Sequence, residues 1–426
     1  MPGTKIQFFI FLFSLIFISC NNTGGDNTNS DPNNGVIEPI VEKKEILSNK
    51  SFYKLELFKS IYESGSTQVL FGHFAVKVPD DQYKMNYKLV RIEINNNQSF
   101  QKVMSDQVYK ESSFIFANEK PIDLFISKVG DVYVLTRERV YRFSLNGEID
   151  SSFGTEGHID LDFENNGFEN YFVASKLLIN SKDELHILGE QVKRRNQVFD
   201  RFYAIYTFDL LGAKVETFAA SGHYVQKRWS RQNLYQVSLL SNDEIVYSGR
   251  FQRLTWGGSD SFYHGTICKL DTDGNYSRNF SSDNGFKDFH PFVPLENGLL
   301  ISDTNVLGVV GINDKTKDKL DLYLLDDTQV RKEGADYSIS LEEIGENQQA
   351  RIVADEIIIS SVKENNLILM TSSIRELDFK ELKVPLKGTI KDHFVFAGKE
   401  GMKVLSIVSL KPETDLEEYK LYYKEL

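Results

Sequence analysis

From about residue 50 to the C-terminus, hydrophobic positions fall in short runs in which apolar and polar residues alternate. Tyr87-Lys88-Leu89-Val90-Arg91-Ile92-Glu93-Ile94 is the clearest. A period of two sends successive side chains to opposite faces, which is the pattern of a half-buried strand. Few stretches carry a helical period. Polar turn residues interrupt the runs: Gly130-Asp131 before Val132–Leu135, Lys182-Asp183 before Leu185–Leu188, and Asn242-Asp243 before Ile245–Tyr247. The same device recurs at Gly65, Asn297-Gly298, Asn365-Asn366 and Glu400-Gly401. Asn, Asp and Gly suit such turns because they tolerate positive φ or bond their own backbone.

Three segments align without gaps: YRFSLNGEIDSSF (141–153), YTFDLLGAKVETF (206–218) and CKLDTDGNYSRNF (268–280). In each a glycine precedes a phenylalanine by six positions: Gly147 and Phe153, Gly212 and Phe218, Gly274 and Phe280. A further glycine follows at Gly157, Gly222 and Gly285, and the first glycines are 65 and 62 residues apart. Repeats of this length in an all-β chain predict a β-propeller of four-stranded blades, seven being the expected number with six or eight also accommodated. The copies resemble the delta-60-type propeller repeat of bacteria, which reads apolar-Arg-Leu-x-x-Asp-Gly-x-x-Asp-x-x-Phe-Gly-x-x-Gly. Residues 141–157 match best, with Asp150, Phe153 and Gly154 in place and Asn146 at the first Asp. The copy at 268–285 keeps Asp273-Gly274 and Phe280 but has Ser277 for the second Asp, and 206–222 keeps the glycines and phenylalanine. The resemblance covers three units and implies a fold without implying an activity. The last unit supplies three strands, His393–Ala397, Val404–Leu410 and Glu418–Leu426, so Phe52–Lys59 is expected to complete it as the fourth.

The N-terminus follows a different pattern. Lys5 precedes an almost unbroken apolar run, Ile6–Ile18, that ends at Ser19-Cys20. The run is too short for a comfortable membrane span and suits the core of a secretory signal. A cysteine behind a small residue resembles the lipobox of bacterial lipoproteins, although Phe17 and Ile18 are bulkier than that family's usual pair. The resemblance implies removal of residues 1–19, acylation of Cys20 and anchoring of the exported protein to a bacterial membrane, the outer membrane being expected, on its periplasmic or surface face. Two or more acyl chains anchor stably where one does not. Residues 20–49 then form a flexible linker. Its Asn21–Asn34 stretch, NNTGGDNTNSDPNN, has no large apolar residue to offset the entropy of ordering. The propeller occupies 50–426.

The formal charge is −12, or −13 once Lys5 leaves with the signal, which argues against a nucleic-acid partner. Besides Cys20 the only cysteine is Cys268, so the lipidated form has no internal disulfide. Cys268 takes the place of Tyr141 and Tyr206 in the repeat and reads as a packed side chain. The seven histidines include no pair at metal-ligand spacing. Asp271-Thr272-Asp273-Gly274-Asn275 reads as a turn because an EF-hand loop would want Gly and Glu where Tyr276 and Ser282 stand. Asp160, Asp162 and Glu164 alternate with apolar residues and read as a solvated strand face. His186 reads as packed or solvent-facing. No nucleophile elbow, catalytic triad signature or phosphate loop is present, and no catalytic residue, metal or cofactor is assigned.

Two aromatic, basic segments are the candidate binding residues. One runs from Arg250 to Gly265 and holds Trp256, Gly257, Gly258, Phe262 and Tyr263; the other holds Lys227, Arg228, Trp229 and Arg231. Loops carry function more often than strands, and aromatic residues on them stack on sugars or anchor partners. The sequence therefore points to a binding or interaction module at the cell envelope, its partner an envelope protein or a glycan. The alternatives are a glycan-active hydrolase or lyase and a structural subunit of an envelope assembly.

Overall fold

The computed structural model describes residues 44–45, 51–64, 67–78, 81–95, 109–161, 170–195, 198–225, 232–253, 262–277, 286–289, 292–301, 307–313, 318–325, 335–353, 355–386, 388–398, 401–409 and 417–425. They form an all-β structure, a β-propeller within the unit Lys43–Leu426, with one four-residue α-helix at Leu341–Ile344. No helix among the described residues is long and apolar enough to cross a membrane.

Hydrogen bonding divides the strands into six sheets, five of four strands and one of nine. The nine-stranded sheet I joins the two ends of the chain. Sheets II (residues 123–160), III (170–225), IV (232–289), V (292–340) and VI (346–385) follow in chain order, each an antiparallel meander. The first strands of successive groups touch in a closed cycle: Ser51–Ser64, Asp123–Ile126, Asn170–Ile179, Gln232–Leu239, Phe292–Ile301, Glu346–Val353, Thr389–Gly398, and back to the first. Closure gives every sheet a neighbour on both faces, and the outer strands remain as short edges.

Sheet I is wide because it contains two such groups. Thr389–Gly398, Gly401–Ser409 and Glu417–Glu425 pair in series, and the N-terminal segment adds the outer strand through Lys44↔Tyr423, Glu45↔Tyr422, Ser51↔Glu418 and Phe52↔Glu417. From Tyr53 onward the chain leaves this partner and pairs with Thr67–Val78. The ends of the chain therefore share a sheet as the sequence suggested, but the shared strand ends at Phe52 instead of running to Lys59.

The repeat signature has a structural cause visible in all three copies. A tight turn closes between Ser144 and Glu148, between Asp209 and Ala213, and between Asp271 and Asn275, with Gly147, Gly212 and Gly274 as donors inside it. Asp209 and Asp271 tighten their turns further, each accepting two backbone N–H groups on Oδ1. Phe153 and Phe218 then enter the core, and Gly157 N and Gly222 N donate to their carbonyls at 2.9 and 2.7 Å. Phe280 lies outside the described residues. Each turn is also held by the preceding sheet. Ser112 Oγ donates to Gly147 O at 2.7 Å, Gly154 N to Leu211 O at 3.0 Å, and Ala219 N to Asp273 O at 2.7 Å. The periodic glycine turn is thus one half of a clasp between neighbouring sheets, seated on Ser112 at Gly147, on Gly154 and Ile159 at Gly212, and on the Phe218 ring at Gly274.

Three of the expected turns join first to second strands of a sheet, with Gly130, Asp183 and Asp243 at positive φ. Asn365 sits with Glu364 in a two-residue turn between the second and third strands of sheet VI, Lys363 pairing with Asn366. Asn297-Gly298 is not a turn. It lies within the strand Phe292–Ile301, at an irregularity between Pro294 and Leu299. A methyl group on Gly298 would come within 2.3 Å of Val310 O, so glycine is there for close approach of two backbones.

Candidate functional site

The described residues bordering the two aromatic, basic segments lie at one edge of sheet IV. Gln232, the first residue after one segment, pairs with Phe251, and within the other segment Arg253 pairs with Phe262. Phe262 and Tyr263 open the strand Phe262–Leu270, opposite Arg253 and Gln252. Trp256, Trp229 and Arg228 lie outside the described residues.

Sheet III meets sheet IV at this same edge, and its contribution was absent from the sequence reading. The hairpin of Glu184–Arg195 and Val198–Asp209 turns there, Arg195 pairing with Val198. Glu190, buried beneath it, accepts from Arg201 Nη1 at 3.0 Å on one oxygen and from Leu234 N of sheet IV at 3.3 Å on the other. Burial pushes its carboxyl above the usual carboxylate range, opposed by the Arg201 charge beside it. Tyr203 crosses the same joint, donating from its hydroxyl to Arg250 O at 3.2 Å and standing edge-on to Tyr247 at 4.9 Å. The Arg250 guanidinium lies 5.8 Å from the centre of the Tyr235 ring. Behind these residues the fully buried Gln191 accepts from Tyr206 Oη at 3.1 Å, and among the described residues its Nε2 has no partner. The edge thus presents Lys193, Arg194, Arg201 and Arg250, the last beside the Tyr235 ring, with Arg195 and Arg253 at strand positions in line with them. Such an arrangement suits binding of an anionic or sugar-like ligand.

The other candidates take structural places. Cys268 is fully buried between sheets III and IV and burial pushes its thiol up to about 12, which makes it inert. His186 is buried with Nδ1 at 2.9 Å from Thr207 Oγ1, and burial lowers it to about 4. Asp271–Asn275 is the clasp turn already described. Asp160 accepts from Arg139 Nε at 2.9 Å, and Arg139 also donates to Glu119 at 2.6 Å, so this carboxylate belongs to a surface ion network. Asp162 and Glu164 lie outside the described residues, as does Cys20. Among the described residues no three His, Cys, Asp or Glu side chains are grouped as metal ligands.

No family model matches the chain, and no curated protein matches it. Solved structures similar to it include the acylaminoacyl peptidase of Pyrococcus horikoshii, at 11% identity and a TM-score of 0.46, covering 84% of this chain and 49% of that one. The chain thus spans about half the length of that peptidase. A Trypanosoma rangeli sialidase in complex with sialic acid aligns at 10% identity and a TM-score of 0.42 over 91% of this chain and 59% of its own. The PQQ-bound aldose sugar dehydrogenase of Streptomyces coelicolor aligns at 11% and 0.40, over 71% and 94%. These likenesses carry no argument about activity.

Proposed function

We propose that the protein is an exported lipoprotein, held to a bacterial membrane through Cys20, whose propeller is a binding module that engages its ligand at the edge shared by sheets III and IV. The observation that carries this reading is the convergence of strand ends. Gln232 follows one aromatic, basic segment, Arg253 and Phe262 pair within the other, and Glu190 and Tyr203 bond across to the same edge from sheet III. On this reading the residues at the edge bind and orient; among the described residues there none is a nucleophile beside a base. The hydrolase alternative draws no support from Asp160, whose carboxylate is taken up by Arg139.

Two experiments test the reading. Mass spectrometry of the protein from membranes is expected to find an acylated cysteine at the mature N-terminus, and Cys20→Ala to release the protein from the membrane fraction; an unmodified Cys20 overturns the anchor. A glycan and protein interaction screen with the detergent-solubilised chain is expected to yield a ligand whose binding is lost on substitution of Trp256 or Trp229. A ligand indifferent to both overturns the assigned edge.

A further inference from the structure

The edge between sheets III and IV has a charge opposite to that of the chain. Residues 190–202 and 249–253 hold Lys193, Arg194, Arg195, Arg201, Arg250 and Arg253 against only Glu190 and Asp200, a net of +4 in a chain whose total is −12. Glu190 is already committed to Arg201 and to the backbone N–H of Leu234, so it is not a counter-charge for an incoming group. These six cationic residues come from two stretches some fifty positions apart in sequence, joined only because the hairpin at Arg195 and the strand end at Arg253 face the same way. Lys193 and Arg194 precede the hairpin on one strand, and Arg201 follows it on the other.

We infer that this edge binds an acidic polysaccharide, a flexible chain of sugars bearing sulfate or carboxylate groups. The inference rests on reading the propeller as a binding module and names what the module takes. Three observations favour a threadlike polyanion over a flat anionic surface. The cations occupy one edge only, so an extended charged sheet would also be pressed against the acidic remainder of the molecule. At physiological ionic strength attraction fades over about 8 Å, so only groups brought to the edge itself are attracted. The half-buried Tyr235 ring stands 5.8 Å from the Arg250 guanidinium, and sugar faces pack on such rings while their anionic substituents meet guanidinium forks.

The test uses full-length protein in detergent and three immobilised probes: dextran sulfate, uncharged dextran, and single-stranded oligothymidylate. The variants are Lys193→Glu/Arg194→Glu/Arg195→Glu at the edge and Lys182→Glu/Lys214→Glu, exposed residues at the opposite end of sheet III. Dextran sulfate is expected to bind the wild type, weakening about tenfold or more between 50 and 200 mM salt as released counterions dictate. The edge variant is expected to lose about tenfold or more, and the opposite-end variant to stay within about twofold. Single Arg253→Glu is a second, less disruptive edge variant and is expected to weaken binding in the same direction. Absence of dextran sulfate binding, or equal loss in both multiple variants, overturns the inference. So does oligothymidylate binding as tightly as dextran sulfate through the same edge. Edge-dependent binding of uncharged dextran overturns the anionic ligand while leaving the binding module standing, whereas a screen in which no ligand depends on this edge removes both.

Discussion

Gly274→Ala and Gly147→Ala are the same substitution at the same backbone angle with different neighbours. Both glycines have φ of +80°, where an L side chain costs about 1–2 kcal/mol. At Gly147 a methyl group would meet nothing nearer than Ser112 Cβ at 3.7 Å, an ordinary contact. At Gly274 it would fall 2.7 Å from Cζ and 2.9 Å from Cε1 of Phe218, a ring that is 3% exposed and fixed in the core of sheets III and IV. Overpacking of this kind adds about 1–3 kcal/mol. Gly147→Ala is therefore expected to lose about 1–2 kcal/mol and Gly274→Ala about 2–5 kcal/mol, read as urea midpoints at an unchanged slope. Phe218→Ala alone should cost about 3–5 kcal/mol. With the ring gone, the steric part of Gly274→Ala vanishes, so the double variant should be more stable than the sum of the singles by about 1–3 kcal/mol. Equal losses at the two glycines, or additivity of Gly274→Ala with Phe218→Ala, would refute the view that the Gly274 turn is seated on the Phe218 ring of the neighbouring sheet.

Asp123 accepts from Leu177 N of the next sheet at 2.8 Å, and removal from water pushes its carboxyl above the usual range. A raised carboxyl favours the fold most below its unfolded pKa and progressively less as pH rises through the folded one. Asp123→Asn, which keeps a carbonyl acceptor, should accordingly gain on the wild type as pH rises from about 4 to 7 in denaturant melts, and a pH-independent difference would count against this. His186 acts in the opposite sense. Its imidazole is lowered from 6.5 to about 4 by burial, so its contribution is intact above 6.5 and lost as pH falls through that window, and His186→Gln should blunt the acid loss. Truncation through Phe52 should lower the melting temperature by several degrees, because it removes the pairing with Glu417–Glu425 that closes sheet I; an unchanged melt would show closure to be dispensable. Cys268 should resist thiol reagents in the folded protein and react once it is unfolded, and rapid labelling of the native state would contradict its burial.

Alternation of apolar and polar residues gave away the strands because that pattern is local, and the Gly–Phe spacing gave away the repeat because each clasp is built within a dozen residues. Ser144, Asp209 and Asp271, three positions ahead of each glycine, were a further legible signal, since each opens its turn. What sequence alone could not yield is whatever depends on partners far along the chain. Asn297-Gly298 carries the composition of a turn, yet the facing carbonyl of Val310 is what requires a glycine there. The width of sheet I depends on Lys44–Glu45 meeting Tyr422 and Tyr423 from the other end of the chain. The basic edge was legible only in part. The segments around Trp229 and Trp256 stood out as two separate patches, while Lys193, Arg194 and Arg201 attracted no notice because a cationic run on a hairpin is usually a solvated face. Only the register of sheets III and IV unites them.

The two ends of the sheets are constrained differently, and this supports placing the proposed site more than composition does. At the end carrying the clasps, the connections between third and fourth strands in sheets II, III and IV span residues 144–157, 210–222 and 271–285, nearly equal lengths fixed by a turn that must fit the neighbouring sheet. At the opposite end, the connections between second and third strands range from residues 364–365 in sheet VI and 196–197 in sheet III to 254–261 in sheet IV. A segment whose length and charge are set by packing has little freedom to acquire a ligand, whereas one released from packing can. The longest of these three connections and the most basic hairpin fall on adjacent sheets, joined by Glu190 and Tyr203. The clasp end ties sheets II, III and IV to their neighbours, and the proposed binding edge lies at the other end.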